Sequence, residues 1–193
     1  MNWLLFAAIL AVPRLPHGRP AQAPAPAQAA AVPEILSDSE LRARIEAYLG
    51  AIDTPIGADQ WRGLGPQAAP VLEPIATDEN EMPSRRAKAL EGLVAAAPDR
   101  AALLVGKLAR DETAPTVVRV AALHGVGKVL APSKALAELK PVLQTARTAG
   151  MRSTAADVIS RTKGGCAMVH EQVARESDEH RGAYQRALAR CKE

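Results

Sequence analysis

The 193-residue sequence predicts an all-α fold built from stacked helix pairs. Three observations predict it. Hydrophobic residues make up 48% of the chain but aromatics only 3%, with alanine carrying much of the apolar share. That composition favours close helix packing over a sandwich of strands, which wants β-branched and aromatic side chains. No period-2 apolar run is long enough to form a strand. Several positions also recur at one spacing: Arg86, Arg119 and Arg152 are 33 residues apart, and so are Ala89, Ala122 and Ala155.

The chain opens on WLLFAAILAV, residues 3–12, an apolar run too short for a bilayer span of about 20 residues. It suits the apolar segment of a signal peptide occupying residues 1–29, with small-x-small cleavage sites near residues 23 and 29. The region before it is only Met1-Asn2, and no cysteine lies near it to carry a lipid anchor. Export to the periplasm or the outside of the cell is the expectation. A Pro/Ala/Gln-rich stretch continues into a linker, residues 30–36, whose composition does not build a core.

Net charge is +3, which alone would point to a polyanion. Arg14 and Arg19 lie in the leader, which holds no acid; the rest has 22 bases against 21 acids. A nearly neutral mature chain carries no bulk electrostatic footprint for nucleic acid.

The folded part is expected over residues 37–162. Ser37-Asp38-Ser39-Glu40 matches a capping box, and Leu41, Ile45 and Leu49 follow as one helical stripe. Thr54-Pro55 starts a short helix carrying Trp61 and Leu64, broken by Gly63 and Gly65-Pro66. Residues 66–77 put Ala69, Leu72 and Ile75 on one face. Helices over about 83–97, 99–110, 115–130, 133–145 and 150–162 follow, with Pro83, Pro98, Pro115 and Pro132 near their starts, where a missing N–H costs little.

The 33-residue period extends further. Leu90 and Leu123 keep it, as do Gly92 and Gly125, and Asp78 and Asp111, each eight residues before its arginine; the third register holds Gln144 instead. Such a period marks helix pairs that cannot bury their apolar faces alone and therefore stack. Glycine inside a helix costs about 1 kcal/mol against alanine, so two at one phase point to close packing.

These residues resemble HEAT repeats, especially short HEAT-like repeats of exported bacterial proteins. The match rests on Asp78/Arg86/Ala89/Leu90 and Asp111/Arg119/Ala122/Leu123, with Arg152/Ala155 a partial third, and covers about residues 54–162. The resemblance implies a short right-handed α-solenoid of HEAT-like helix pairs with helical caps, and a scaffold that binds other proteins. It also implies that Asp78, Arg86, Asp111, Arg119 and Arg152 form a structural ladder.

The tail, residues 163–193, reads as a helical hairpin packed on the repeats. Gly164-Gly165 ends the array; one helix runs over about 166–176, and Ser177-Asp178-Glu179 caps the next, on which Tyr184, Leu188 and Cys191 share a face. Folded back antiparallel, the two helices bring Cys166 to Cys191, the only cysteines, as a disulfide suited to an exported chain. One continuous helix would instead hold them about 37 Å apart. A metal site using Cys166, His170 and Cys191 lacks a fourth ligand, since His180 lies near the turn.

No phosphate loop, His-Glu-x-x-His or Cys-x-x-Cys is present, and Ser133, Ser153 and Ser160 have no evident base partner. The expectation is therefore a non-enzymatic protein-binding scaffold with no cofactor. The positions that differ at equal phase are its candidate partner-binding residues: Lys88, Glu91, His124 and Lys128. Two alternatives stand beside it. One is an anion or nucleic-acid binder using the arginine row with Lys107, Lys128 and Lys134. The other is a HEAT-like enzyme of the lyase or glycosylase class, for which no concave cluster of aromatics and acids can be assembled.

Overall fold

A computed structural model describes residues 36–191, and among them every regular element is a helix. Residues 1–35, which hold the expected signal peptide and most of the expected linker, lie outside the described residues. Helix α1 (Asp38–Gly50) opens on the expected capping box: Glu40 N donates to Ser37 Oγ at 3.4 Å, and Ser37 N donates to Glu40 Oε2 at 2.9 Å. Its buried stripe is Leu41, Ile45 and Leu49. Helix α2 (Ala58–Leu64) starts later than Thr54-Pro55 suggests. Gly57 takes the N-cap position, and Gln60 reaches back so that Gly57 N donates to Oε1 at 2.8 Å. Thr54 and Pro55 stay exposed in the connection.

The helices that follow are α3 (Ala69–Thr77), α4 (Pro83–Ala96), α5 (Pro98–Ala101), α6 (Val105–Arg110), α7 (Thr116–Val129), α8 (Pro132–Thr145) and α9 (Ala149–Ser160). Pro83, Pro98 and Pro132 each occupy the first helical position, where the backbone N–H is unbonded in any case. The expected helix over 99–110 is two pieces. Leu103 N and Leu104 N bond to the carbonyls of Arg100 and Ala101, three residues back, and this tighter winding turns Leu103 out to solvent.

Packing follows the pairs. α3 lies on α4, α6 on α7 and α8 on α9; α4, α7 and α9 also touch in succession, as do α6 and α8. The shared core is aliphatic: Leu72, Leu90, Leu93, Leu123, Leu139, Leu143 and Ile159 are fully buried. Two glycines set the distance of approach. A Cβ on Gly92 would sit 2.7 Å from the Trp61 ring, and one on Gly125 would sit 2.7 Å from Val105 Cγ1 and 3.0 Å from Val94 Cγ2. Trp61 is a core aromatic, 3% exposed, with its ring edge-on to Tyr48 at a centroid distance of 5.1 Å.

The C-terminal part is α10 (Cys166–Arg175), α11 (Asp178–Arg181), a single 3₁₀ turn at Gly182–Tyr184, and α12 (Gln185–Arg190). It folds back as a hairpin, with α10 against α12 and both against α9. Cys166 and Cys191 are joined, with Cα atoms 5.4 Å apart. Ser177 does not cap as expected: its Oγ pairs with His180 Nδ1 at 2.9 Å instead of a backbone N–H. No described helix is long and apolar enough to cross a membrane.

Candidate functional site

The three recurring arginines occupy the same place in three helices. Arg86, Arg119 and Arg152 each sit four residues after the N-cap of α4, α7 and α9, and each backbone N–H donates to that N-cap carbonyl, Met82, Pro115 or Thr148. Each side chain then reaches the C-terminal end of the preceding helix. Arg86 Nε donates to Ala76 O and Arg119 Nε to Ala109 O, both at 3.4 Å; Arg152 Nη1 donates to Ala146 O at 2.8 Å. A cation there satisfies an orphan carbonyl and meets the negative end of the helix dipole.

Asp78 and Asp111 serve their own loops. Asn80 N and Nδ2 donate to Asp78 Oδ1 at 2.9 and 3.2 Å; Thr113 N and Oγ1 donate to Asp111 Oδ1 at 2.9 and 2.6 Å. These are side-chain turns at the same register, and they shape the connection into the arginine-bearing helix. Thr113 holds the Asp111 carboxyl below its usual pKa, with Arg119 a lesser contributor. Neither aspartate forms an ion pair with Arg86 or Arg119 among the described residues, so those arginines take carbonyls.

Arg152 differs. Besides Ala146 O it holds Glu176 at two points, Nε to Oε1 at 2.5 Å and Nη2 to Oε2 at 2.8 Å. Glu176 also accepts from Gln172 Nε2 at 2.9 Å and from the Tyr184 hydroxyl at 2.6 Å. Arg152 drives its carboxyl pKa down to about 2, helped by Tyr184 and Gln172. Burial first, and then the carboxylate, push the Tyr184 hydroxyl up. The 33-residue period carries no sign of this cluster, because its acid comes from outside the repeated segments.

The positions that differ at equal phase lie along α4 and α7. Glu91 and Lys128 line a cleft of about 350 Å³ floored by Trp61, Val94 and Ala95. Glu91 and Lys88 line a second cleft of about 290 Å³ against Tyr48, Ile56 and Trp61. His124 lines a third, of about 250 Å³, with Ser153, Thr154, Asp157 and Arg186. Lys88 is half-buried, and its Nζ donates to the carbonyls of Leu49 and Ala51. These bonds satisfy carbonyls at the C-terminal end of α1. Arg62 and Arg186, which also line these clefts, were not legible from the repeat because they fall outside its matched phases.

Three of the polar groups around His124, those of Ser153, Thr154 and Asp157, are committed to neighbours. Ser153 Oγ and Thr154 Oγ1 donate to Gly150 O at 3.0 and 2.8 Å. Asp157 accepts from Arg161 Nη2 at 2.9 Å and also from Arg190. Desolvation and then Lys128 lower the His124 pKa. Neither hydroxyl is hydrogen-bonded to the imidazole, so nothing here pairs a nucleophile with a base. In the tail, the disulfide takes both thiolates that a Cys166, His170 and Cys191 metal site would need. Among the described residues no three His, Cys, Asp or Glu side chains converge as metal ligands. Lys107, on α6, and Lys134, in the first turn of α8, are exposed on helices other than those bearing the arginines.

Comparison with known proteins finds no matching family model, no matching curated protein and no matching solved structure.

Proposed function

We propose that this chain is an exported, non-enzymatic scaffold that binds another protein of the cell envelope. In this reading the helix pairs form a short right-handed α-solenoid of HEAT-like units, and α1 and the C-terminal hairpin close its ends. The observation that carries it concerns Glu91 and His124. They stand at one phase of α4 and α7, they differ in chemistry, and each opens on a cleft, whereas the repeated Arg86 and Arg119 are buried and tied to carbonyls. Residues repeated from unit to unit hold the stack, and those that vary along one face are free to choose a partner.

Glu91, Lys128 and Arg62 give the wider cleft mixed charge over an apolar floor of Trp61 and Val94. A surface of that kind fits a protein segment better than a polyanion. The disulfide suits the oxidising compartment this reading requires.

Site-specific photocrosslinking in the native envelope tests it. A photoreactive residue at Glu91 or Lys128 yields a discrete protein adduct, and one at exposed Lys140 on α8 does not. Equal labelling from all three positions, or no protein adduct from Glu91 and Lys128, overturns the reading.

A further inference from the structure

Arg119 is the middle member of the arginine series, and its surroundings are incomplete. It is 9% exposed, and its one hydrogen bond among the described residues is Nε to Ala109 O. Its two terminal nitrogens have no partner there. A cavity of about 310 Å³ lies beside it, lined also by Arg110, Glu112, Thr145 and Ala146. Neither terminal nitrogen is sealed from solvent, so both are open to a ligand that enters the cavity.

The molecule itself shows what the position takes. Arg152 stands at the same helical position and is closed by Glu176, the C-cap residue of the next helix, α10. The corresponding C-cap of the helix after Arg119, α8, is Ala146. The two caps match in backbone bonding: Ala146 N donates to Val142 O at 3.2 Å and Glu176 N to Gln172 O at 3.1 Å. Where the C-terminal hairpin supplies Arg152 with a carboxylate, α8 supplies Arg119 with a methyl group and a cavity.

The charge of the cavity is also defined. Arg110 pairs with Glu138, and Glu112 pairs with Arg147 at 2.8 Å. Among these lining charges Arg119 is the one without an ion pair; the nearby Asp111 carboxylate acts on it only at longer range and is bonded to Thr113. We propose that Arg119 and its cavity form a binding site for a single carboxylate, presented by an acidic side chain or a chain terminus of a bound peptide. The planar guanidinium offers two parallel donors to it, as Arg152 does to Glu176. A dianion such as phosphate would leave a second charge uncompensated beside Glu112. The site does not depend on the helix-face reading: carboxylate binding here with no envelope partner at Glu91 would leave this inference standing.

The test is NMR titration of the intact, oxidised chain, following the Arg119 Nε–Hε resonance. The probes are acetyl-Ala-Glu-Ala-amide, acetyl-Ala-Ala with a free C-terminus, acetyl-Ala-Gln-Ala-amide and inorganic phosphate. One or both carboxylate probes shift the resonance saturably, and the tighter of the two identifies the source. The glutamine peptide does not shift it, and phosphate binds more weakly. Ala146→Glu supplies the carboxylate in cis and weakens the carboxylate probe by at least about tenfold, the loss of one charge-assisted contact. Thr145→Glu does the same should Ala146→Glu not fold. An equal shift from the glutamine peptide, tighter phosphate binding, no saturable shift from either carboxylate, or undiminished binding in the folded cis-carboxylate variant overturns the proposal.

Discussion

Arg152 and Glu176 form a two-point ion pair across 24 residues of sequence, and that pair ties the C-terminal hairpin to the helix array. Its oxygens are fully used: Glu176 accepts from Arg152, Gln172 and Tyr184, and both partners of the ion pair are largely withdrawn from water. Exposed pairs such as Arg175–Glu171 contribute little, because water and side-chain entropy offset the attraction. A withdrawn pair acts differently. It adds little over an apolar substitute, but removing one member leaves the other charge stranded.

Glu176→Gln therefore lowers unfolding stability by about 3 kcal/mol, because Arg152 keeps its charge and loses its counter-ion. Tyr184→Phe costs less, about 1–2 kcal/mol, since it removes one hydrogen bond from a carboxylate that keeps its others. Urea unfolding of the two variants beside the parent chain measures both. Equal effects would mean that the hydroxyl, not the ion pair, holds the hairpin.

The same pair makes stability depend on acid. The Glu176 carboxyl titrates near 2 in the folded chain against an ordinary value of 4.5, so the unfolded chain binds the proton more readily. Its contribution is complete above the unfolded value and is lost as pH falls from about 4.5 through 2. The stability gap between the parent and Glu176→Gln is widest near neutrality and closes over that window. A gap that stays constant down to pH 2 would show that Glu176 is not held as the ion in the folded state.

The disulfide acts on the same hairpin from its open end. Closing the chain between Cys166 and Cys191, 25 residues apart, is worth about 3 kcal/mol through the unfolded state. Reduction, or the Cys166→Ser and Cys191→Ser pair of substitutions, lowers the melting temperature without changing helix content at ambient temperature. Two thiols that label in the unreduced native chain would contradict the bond.

Much of the local architecture is legible because its causes are local. The Ser37–Glu40 box, the helix-starting prolines and the Leu41/Ile45/Leu49 stripe each depend on residues within one or two turns. The tail pairing is legible because two cysteines end up at the mouth of one hairpin. Long-range polar pairing is not. Lys88 caps a helix that ends nearly forty residues earlier, and Glu176 reaches Arg152 from outside the repeat, with no spacing to announce either contact. Residues 99–110 hold no proline and only Gly106 against a helix, yet the chain tightens earlier, at Leu103–Leu104. The arginine spacing fixes three equal helical positions, but what each arginine touches depends on the neighbouring helix, and there Arg152 parts company with Arg86 and Arg119.

Glycine substitutions separate packing from propensity. Gly92 lies in α4 with the Trp61 ring where a Cβ would go, at 2.7 Å, and that ring is braced by Tyr48. Gly63 lies in α2 with nothing within 4 Å of the same position. Alanine raises helix propensity by about 1 kcal/mol at either site, so propensity alone predicts that both substitutions stabilise. Close approach predicts opposite signs. Gly63→Ala raises stability by about 0.5–1 kcal/mol, whereas Gly92→Ala forces the ring or the helix to shift and lowers it by about 1–3 kcal/mol. Thermal and urea unfolding of the two single variants measure the signs directly. Stabilisation by both would mean that the glycine at this phase of the repeat is not set by the distance between helices, and the packing reason for its return at Gly125 would fall with it.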